Sequence, residues 1–258
     1  MHKRILVVAA HPDDEVLGVG GTIINHTKDG DTVRIMIMAE GITSRSEKRD
    51  VDSARAELSA LHAKCNEVAK MLGAEKPILC GFPDNRMDSV DLLDVVKEIE
   101  KEVESFKPEI VYTHHTGDVN IDHTVTHNAV ITACRSLPDC SVRTILFFET
   151  LSSSEWQMQT SDKSFMPNWF VDITDSLEQK QNALYLYESE MRPFPHPRSY
   201  EAVEHLAKYR GCIIGADKAE SFMLGRNIVK FDGGGYRCRV EIFIPAFSCE
   251  NSLKESAA

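Results

Sequence analysis

Two short segments of the chain concentrate the side chains that bind metals and move protons. The first is His11-Pro12-Asp13-Asp14-Glu15; the second runs from His114-His115 through Asp118, Asn120, Asp122 and His123 to His127. Imidazole nitrogen and carboxylate oxygen are zinc donors, and a catalytic zinc site uses about three protein ligands plus water. Pro12 biases His11 towards an extended backbone. His11 and Asp14 can then fold back on one point, while Asp13 between them need not share their direction. One further histidine is wanted. His123, beside Asp122 at a helix start, is the best placed, and His127 lies on the same face as a second ligand or a substrate contact. This pair is not an HExxH motif, because Thr124 stands where the glutamate would be. A plainer reading also exists. Asp13, Asp14 and Glu15 suit the first turn of any helix, where acids complement the helix dipole. That reading leaves His11 and the second cluster without a reason.

The elements that must position these residues follow from periodicity. Arg4–Ala10 reads as a buried strand and Glu15–Asp29 as a helix. Thr32–Ala39, Pro77–Gly81, Ile110–Thr113, Thr144–Glu149 and Trp169–Ile173 read as further strands. About Asp50–Leu72, apolar residues step by three and four, as in an amphipathic helix ended by Gly73. Helices are also expected at Ser89–Phe106, capped by Asp88 or Ser89, and at Asp122–Arg135. Two more are expected, one after Asp175 as cap and one at Ser199–Arg210 ended by Gly211. Met191–Arg198, with three prolines, must be a loop. Tyr236–Phe247 has a strand pattern after Gly233-Gly234-Gly235. Strand–helix alternation predicts an α/β fold, a Rossmann-like, mostly parallel sheet with helices on both faces. We read 1–258 as a single domain, with residues 1–150 as α/β core, 151–250 as specificity loops, helices and C-terminal strands, and 251–258 as a polar tail. In such sheets ligands bind beyond the carboxyl ends of the strands, where both His/Asp segments fall.

Composition removes other classes. The 258 residues carry 40 acidic and 29 basic side chains, a formal charge of −11, so general nucleic-acid binding is not expected. No apolar run approaches the ~18 residues of a membrane span, and the N-terminal apolar run is too short for a secretory signal. The seven cysteines are irregularly spaced with no CxxC pair, which suits free thiols in a reducing cytoplasm.

Ala10-His11-Pro12-Asp13-Asp14-Glu15, followed by Leu17-Gly18 and Gly20-Gly21, resembles the signature of the PIG-L/LmbE family of zinc-dependent N-deacetylases. Asn120-Ile121-Asp122-His123 resembles the family's second motif, and the likeness covers roughly residues 3–150. His196-Pro197-Arg198-Ser199 and the stretch Arg210-Gly211 to Ala219-Glu220-Ser221-Phe222 resemble a bacterial branch acting in sugar and polysaccharide metabolism. The resemblance implies that His11, Asp14 and His123 bind Zn2+ (Fe2+ being another divalent candidate). It implies that Asp13 is the general base and that Asp122 orients the site. Many members have a histidine where this chain has Asn120, and that histidine polarises the substrate carbonyl. Either Asn120 donates a weaker bond, or His196, then His127, takes over.

The implied reaction is removal of an N-acetyl group from an amino sugar or its conjugate, a small-molecule substrate. Arg55, Asp84 and Glu40 are candidates for binding its hydroxyls or phosphate, and Trp156, Trp169 and Tyr200 for stacking on its ring; each residue also has an ordinary structural explanation. A homo-oligomer in which Met191–Arg198 completes a neighbour's site is compatible with the sequence. Three other readings compete. One is a non-hydrolytic sugar- or nucleotide-binding protein using Gly18–Gly21. Another is an amidase for a different N-acyl substrate, such as a thiol-sugar conjugate. The third is an iron(II) oxygenase built on two histidines and a carboxylate.

Overall fold

The computed structural model describes residues 2–45 and 49–229. The strands are β1 (Arg4–Ala9), β2 (Thr32–Ala39), β3 (Ile78–Phe82), β4 (Ile110–His114), β5 (Thr144–Phe148), β6 (Trp169–Asp172) and β7 (Ala219–Asn227). The helices are α1 (Asp14–Lys28), α2 (Arg55–Met71), α3 (Leu92–Phe106), α4 (Ile121–Ala133), α5 (Leu177–Leu186) and α6 (Tyr200–Ile214). The strands form one sheet in the order β3-β2-β1-β4-β5-β7-β6. β1 to β5 are mutually parallel, and β7 runs antiparallel between β5 and β6. The expected α/β class holds.

Both faces of the sheet are covered, so its central strands are apolar throughout rather than alternating. Ile5, Val7 and Ala9 of β1 join one core with Val16 and Ile23 of α1, Val68 of α2 and Leu184 of α5. Leu6 and Val8 join the opposite core with Ile99 and Val103 of α3 and Val130 of α4. Strand order reverses between β1 and β4. The chain leaves β1 towards α1 on one face and leaves β4 towards α4 on the other. A crevice therefore opens beyond the carboxyl ends of these two strands, where His11 and His114 stand.

Several boundaries differ from the sequence reading. α2 starts at Arg55 rather than Asp50, and Val51 is 39% exposed because turns precede the helix. Met87–Ser89 forms a separate 3-10 turn, so α3 begins at Leu92 with Asp91 as its cap residue. Ser176, not Asp175, precedes α5. Gly211 does not end α6. A Cβ there would meet Ala216 O at 2.6 Å, so glycine serves close packing inside the helix, and Gly215, at φ 75°, provides the left-handed stop. β7 was not foreseen, because Ala219–Asn227 mixes charge and glycine into its pattern. The expected strand Tyr236–Phe247 and the glycine turn before it lie outside the described residues.

The glycines after the first motif have a packing role. A Cβ on Gly18 would meet the Phe148 ring at 2.3 Å, and one on Gly21 would meet Ile173 at 2.7 Å. Both are buried inside α1 rather than displayed in a phosphate-cradling turn, so the nucleotide-binding reading loses its basis. Overpacking at such positions costs about 1–3 kcal/mol. Gly18→Val should lower stability by that amount in urea unfolding; an unchanged midpoint would contradict the packing described.

Candidate metal centre and acid–base site

β1 delivers His11 directly after its last residues, and α1 begins three positions later with Asp14. The Asp14 carboxylate turns back, and its Oδ2 accepts the His11 backbone N–H at 2.9 Å. α4 brings His123 from the far side of the crevice. His11 Nδ1, Asp14 Oδ2 and His123 Nε2 then form a triangle with sides of 3.3, 3.2 and 3.3 Å. Asp14 and His123 are fully buried and His11 nearly so.

Each imidazole is held from behind. His11 Nε2 lies 3.0 Å from Asp122 Oδ2 and 3.4 Å from Asp84 Oδ1. His123 Nδ1 lies 3.1 Å from Asp118 Oδ2, off the line of a good hydrogen bond. Carboxylates behind metal-binding histidines fix the tautomer and raise donor strength. Asp122 is itself held by the backbone N–H groups of Asn85 (2.6 Å) and Met87 (2.9 Å). Asp118 accepts from Ser153 and Ser154. Burial alone would depress both imidazoles. Asp122 and Asp14 outweigh it at His11, lifting it to about 10, and Asp14 and Asp118 lift His123 to about 9. The neighbouring histidines hold Asp14 well below the usual carboxylate range despite its burial.

The donor set fits a divalent ion. With their outer nitrogens facing carboxylates, both histidines turn lone pairs towards the same carboxylate oxygen. Three such donors within 3.3 Å repel one another unless protons or a cation lie between them. Asp14 Oδ1 is also buried with no hydrogen-bond partner among the described residues. Two further groupings, His114 with Asp118 and His123, and His11 with Asp84 and Asp122, are equally tight. They consist largely of supporting groups: His114 Nε2 accepts the Ala10 N–H at 2.8 Å, and Asp84 and Asp122 accept backbone N–H groups.

Asp13 stands at the edge of this cluster with an unusual backbone, φ 112°. Such a conformation costs about 1–3 kcal/mol in a non-glycine residue. Glu15 supports it: Glu15 Oε2 accepts the Asp13 N–H at 2.9 Å, and Tyr187 donates to Glu15 Oε1 at 2.9 Å. Burial raises the Asp13 carboxyl above the usual range, against the pull of the Arg198 guanidinium, whose Nη1 donates to Asp13 Oδ2 at 2.7 Å. Asp13 Oδ1 is buried and unpartnered among the described residues.

The remaining expected site residues are distributed unevenly. Asn120 caps α4, its Oδ1 accepting the Asp122 N–H and its amide donating to Asn85 Oδ1, both at 2.9 Å. His127 donates from Nδ1 to His114 O at 2.9 Å and packs on Phe147. Asp84 is buried behind His11 and accepts the Ser44 N–H. Glu40 pairs with Arg49. Arg55 does not join the cluster; its side chain is 80% exposed and pairs with Asp52. His196, half-buried, lies edge-on to Trp156 with ring centres 5.5 Å apart. Trp169 lines a cavity of about 500 Å3 at the opposite end of the sheet, and Tyr200 packs on Tyr185. Asp118, Glu15, Tyr187 and Arg198 were missed as site residues. Glu15, Asp118 and Arg198 lie in motif segments that signalled no role for them, and Tyr187 had no signal, its partner Glu15 being distant in the chain.

A doubly wound sheet with a buried His/Asp/His cluster beyond its switch point defines a Rossmann-like protein with a residue group that could hold a metal ion. A family profile described as PIG-L, GlcNAc-PI de-N-acetylase, matches residues 6–134. The chain belongs to the PIG-L family. It is 29% identical over 180 residues to YaiS of Escherichia coli (strain K12), described as an uncharacterized deacetylase, covering 67% of this chain and 83% of that one. It is 25% identical over 193 residues to the diacetylchitobiose deacetylase of Thermococcus kodakarensis, covering 73% and 70%. Among solved structures, the N,N'-diacetylchitobiose deacetylase of Pyrococcus horikoshii superposes with a TM-score of 0.69 at 23% identity, covering 86% and 83%. GalB of Pseudomonas putida KT2440, a 4-carboxy-2-hydroxymuconate hydratase, superposes with 0.70 at 20% identity, covering 90% and 100%. At such identities the likeness is of fold, and the fold serves more than one chemistry.

Protonated His11 and His123 contribute stability that is full below about pH 6.5, the unfolded value. That contribution is lost as pH rises through about 9 to 10. An arriving cation must expel these protons. Zinc titrated into metal-free protein at pH 7 should release about two protons per ion, read by calorimetry in buffers of different ionisation enthalpy. Zinc uptake without proton release would refute the donor set. His11→Ala should remove stoichiometric zinc in metal analysis.

Proposed function

We propose that this protein is a metal-dependent N-deacetylase. It removes the acetyl group from an N-acetylated amino sugar or its conjugate, releasing acetate and a free amine. The observation that carries this reading is the pairing of a buried His/Asp/His triangle with a second carboxylate, Asp13, whose Oδ1 has no partner among the described residues. Family membership and deacetylases among the relatives support it. Zn2+ (or Fe2+ as the alternative divalent ion) held by His11, Asp14 and His123 would lower the pKa of water and polarise an acyl carbonyl.

In this reading Asp13 takes the proton of the attacking water through Oδ1 and returns it to the leaving amine. Its raised carboxyl suits both steps, since a general base works best with a pKa near the operating pH. Glu15 and Tyr187 hold Asp13 in its strained conformation. Asp122, Asp84 and Asp118 orient the two imidazoles.

We place the reaction in the cytoplasm. Cys65, Cys80, Cys134, Cys140 and Cys212 are all unpaired, and among the described residues no helix is long and apolar enough to cross a membrane. A nucleic-acid partner finds no support in a charge of −11.

The test combines metal analysis with an acetate-release screen across N-acetylhexosamines, free, lipid-linked and nucleotide-linked. Zinc-loaded protein should release acetate from at least one class. Asp13→Asn should keep its metal and lose about 10²- to 10⁴-fold in kcat. Undiminished turnover in that variant would remove Asp13 from the chemistry, and loaded protein that cleaves none of these amides would end the deacetylase reading.

A further inference from the structure

The group that steadies the acyl oxygen is unassigned. The resemblance gives that task to a histidine, but this chain has Asn120 there. Hydrolysis of an amide places negative charge on the acyl oxygen, and a positioned donor at that point is worth several kcal/mol of barrier. The side-chain donors near the cluster can be taken in turn. The Asn120 amide is bound to Asn85 Oδ1, and His127 Nδ1–H to His114 O. His114 Nε2 is an acceptor for Ala10 N–H.

Arg198 differs from all of these. Its backbone is fastened on both sides. Arg192 N–H donates to Arg198 O at 2.8 Å, and Arg198 N–H donates to His196 Nδ1 at 3.0 Å. The next residue, Ser199, caps α6 through Ala202 N–H. The side chain is fastened too, Nε donating to Ser152 Oγ at 2.7 Å and Nη1 to Asp13 Oδ2 at 2.7 Å. The guanidinium is planar and keeps its charge at any working pH. These contacts fix its plane, yet among the described residues Nη2 donates to no group. An unspent acceptor, Asp13 Oδ1, and an unspent cationic donor, Arg198 Nη2, are thus joined through one 2.7 Å bond. A hydrated amide needs this pair of groups side by side.

We propose that Arg198 is the donor to the acyl oxygen, a catalytic residue in the role that a histidine fills where this chain has Asn120. The inference rests on the deacetylase reading above. As the water oxygen bonds to the acyl carbon, one water proton passes to Asp13 Oδ1. The carbonyl π pair moves onto the acyl oxygen, which accepts from the Arg198 N–H. When that pair returns, the C–N bond breaks, the nitrogen takes the proton from Asp13, and the amine leaves with acetic acid, which keeps the second water proton until it ionises to acetate in solvent. A charge-assisted bond from a desolvated guanidinium is stronger than one from a neutral amide, which accounts for how Asn120 can be spent as a cap.

The experiment uses the full chain, zinc-loaded, as wild type, Arg198→Met, Arg198→Lys and His196→Ala. Steady-state kinetics are measured on the acetamido sugar that the wild type hydrolyses. Calorimetry measures binding of the methylphosphonamidate of the same amino sugar, a tetrahedral mimic, and of the product amine. Arg198→Met should lose about 10²- to 10³-fold in kcat with little change in KM. It should lose a similar factor in methylphosphonamidate affinity and keep its product affinity, zinc content and melting temperature. Arg198→Lys should recover part of the loss, and His196→Ala, which frees only the Arg198 backbone N–H, should lose less kcat than Arg198→Met. If Arg198→Met fails to fold, the Lys variant reads the same split. Unchanged kcat in the Arg198 variants beside an active wild type overturns this assignment alone. Equal loss of mimic and product affinity, or a kcat loss confined to His196→Ala, also overturns it. A zinc-loaded wild type that releases no acetate overturns the underlying reading, and the role of Arg198 falls with it.

Discussion

Three electron-rich atoms meeting at one buried point govern the rest of this structure. His11 Nδ1, Asp14 Oδ2 and His123 Nε2 come within 3.3 Å of one another in a largely buried region. Like partial charges in a poorly polarisable interior do not gather without positive charge to bind them, because a buried charge without a partner is costly. Protons can supply that charge, which is why both imidazoles are driven towards the charged form; a divalent ion can supply it in their place. Much of the surrounding architecture maintains this convergence. The β1 and β4 ends supply the two walls, and a ring of carboxylates behind the histidines keeps their inner nitrogens facing the same point.

The two carboxylates behind His11 are anchored in backbone, whereas Asp118 behind His123 accepts from the hydroxyls of Ser153 and Ser154. Asp122 rests on the N–H groups of Asn85 and Met87, and Asp84 on that of Ser44. Backbone donors cannot rotate away, so Asp122 and Asp84, and through them the His11 imidazole, are fixed by the loops after β2 and β3. Asp13 is governed differently. Its backbone is strained, and the strain is balanced by a carboxylate on its own helix and a cation from the far half of the chain. The His/Asp/His cluster and Asp13 therefore have separate supports, although Asp13 and Asp14 are adjacent in sequence.

The α/β layering was readable because buried parallel strands leave unbroken apolar runs, such as Ile5–Ala10, and amphipathic helices leave a three-and-four step. His11, Asp14 and His123 could be picked out because their spacing sits at element junctions, and the structure does bring them together. Other residues were opaque for a common reason. Tyr187 and Arg198 matter only through partners far away in the chain, and a one-dimensional pattern carries no trace of such pairings. Arg55 lies outside the cluster in a pair with Asp52, and a charge at a helix start has the same sequence appearance whether it faces substrate or water. β7 escaped notice because its place between β5 and β6 lets it carry charge, Glu220 included, that satisfies groups elsewhere.

Glu220 leads to a last point. Its carboxylate accepts the N–H groups of Gly21 and Thr22 and the Thr22 hydroxyl, while Lys180 bonds both Glu220 Oε1 and the carbonyl of Leu17. A lysine from α5 and a glutamate from β7 thus grip the backbone midway along α1, the helix whose first residue is Asp14. The family-defining segment, residues 6–134, consequently holds His11, Asp14 and His123 without holding the clasp that steadies the helix bearing Asp14. Grafting a different second half onto this first half would have to reproduce that grip, so divergence in the second half is tethered to a constraint at the middle of α1.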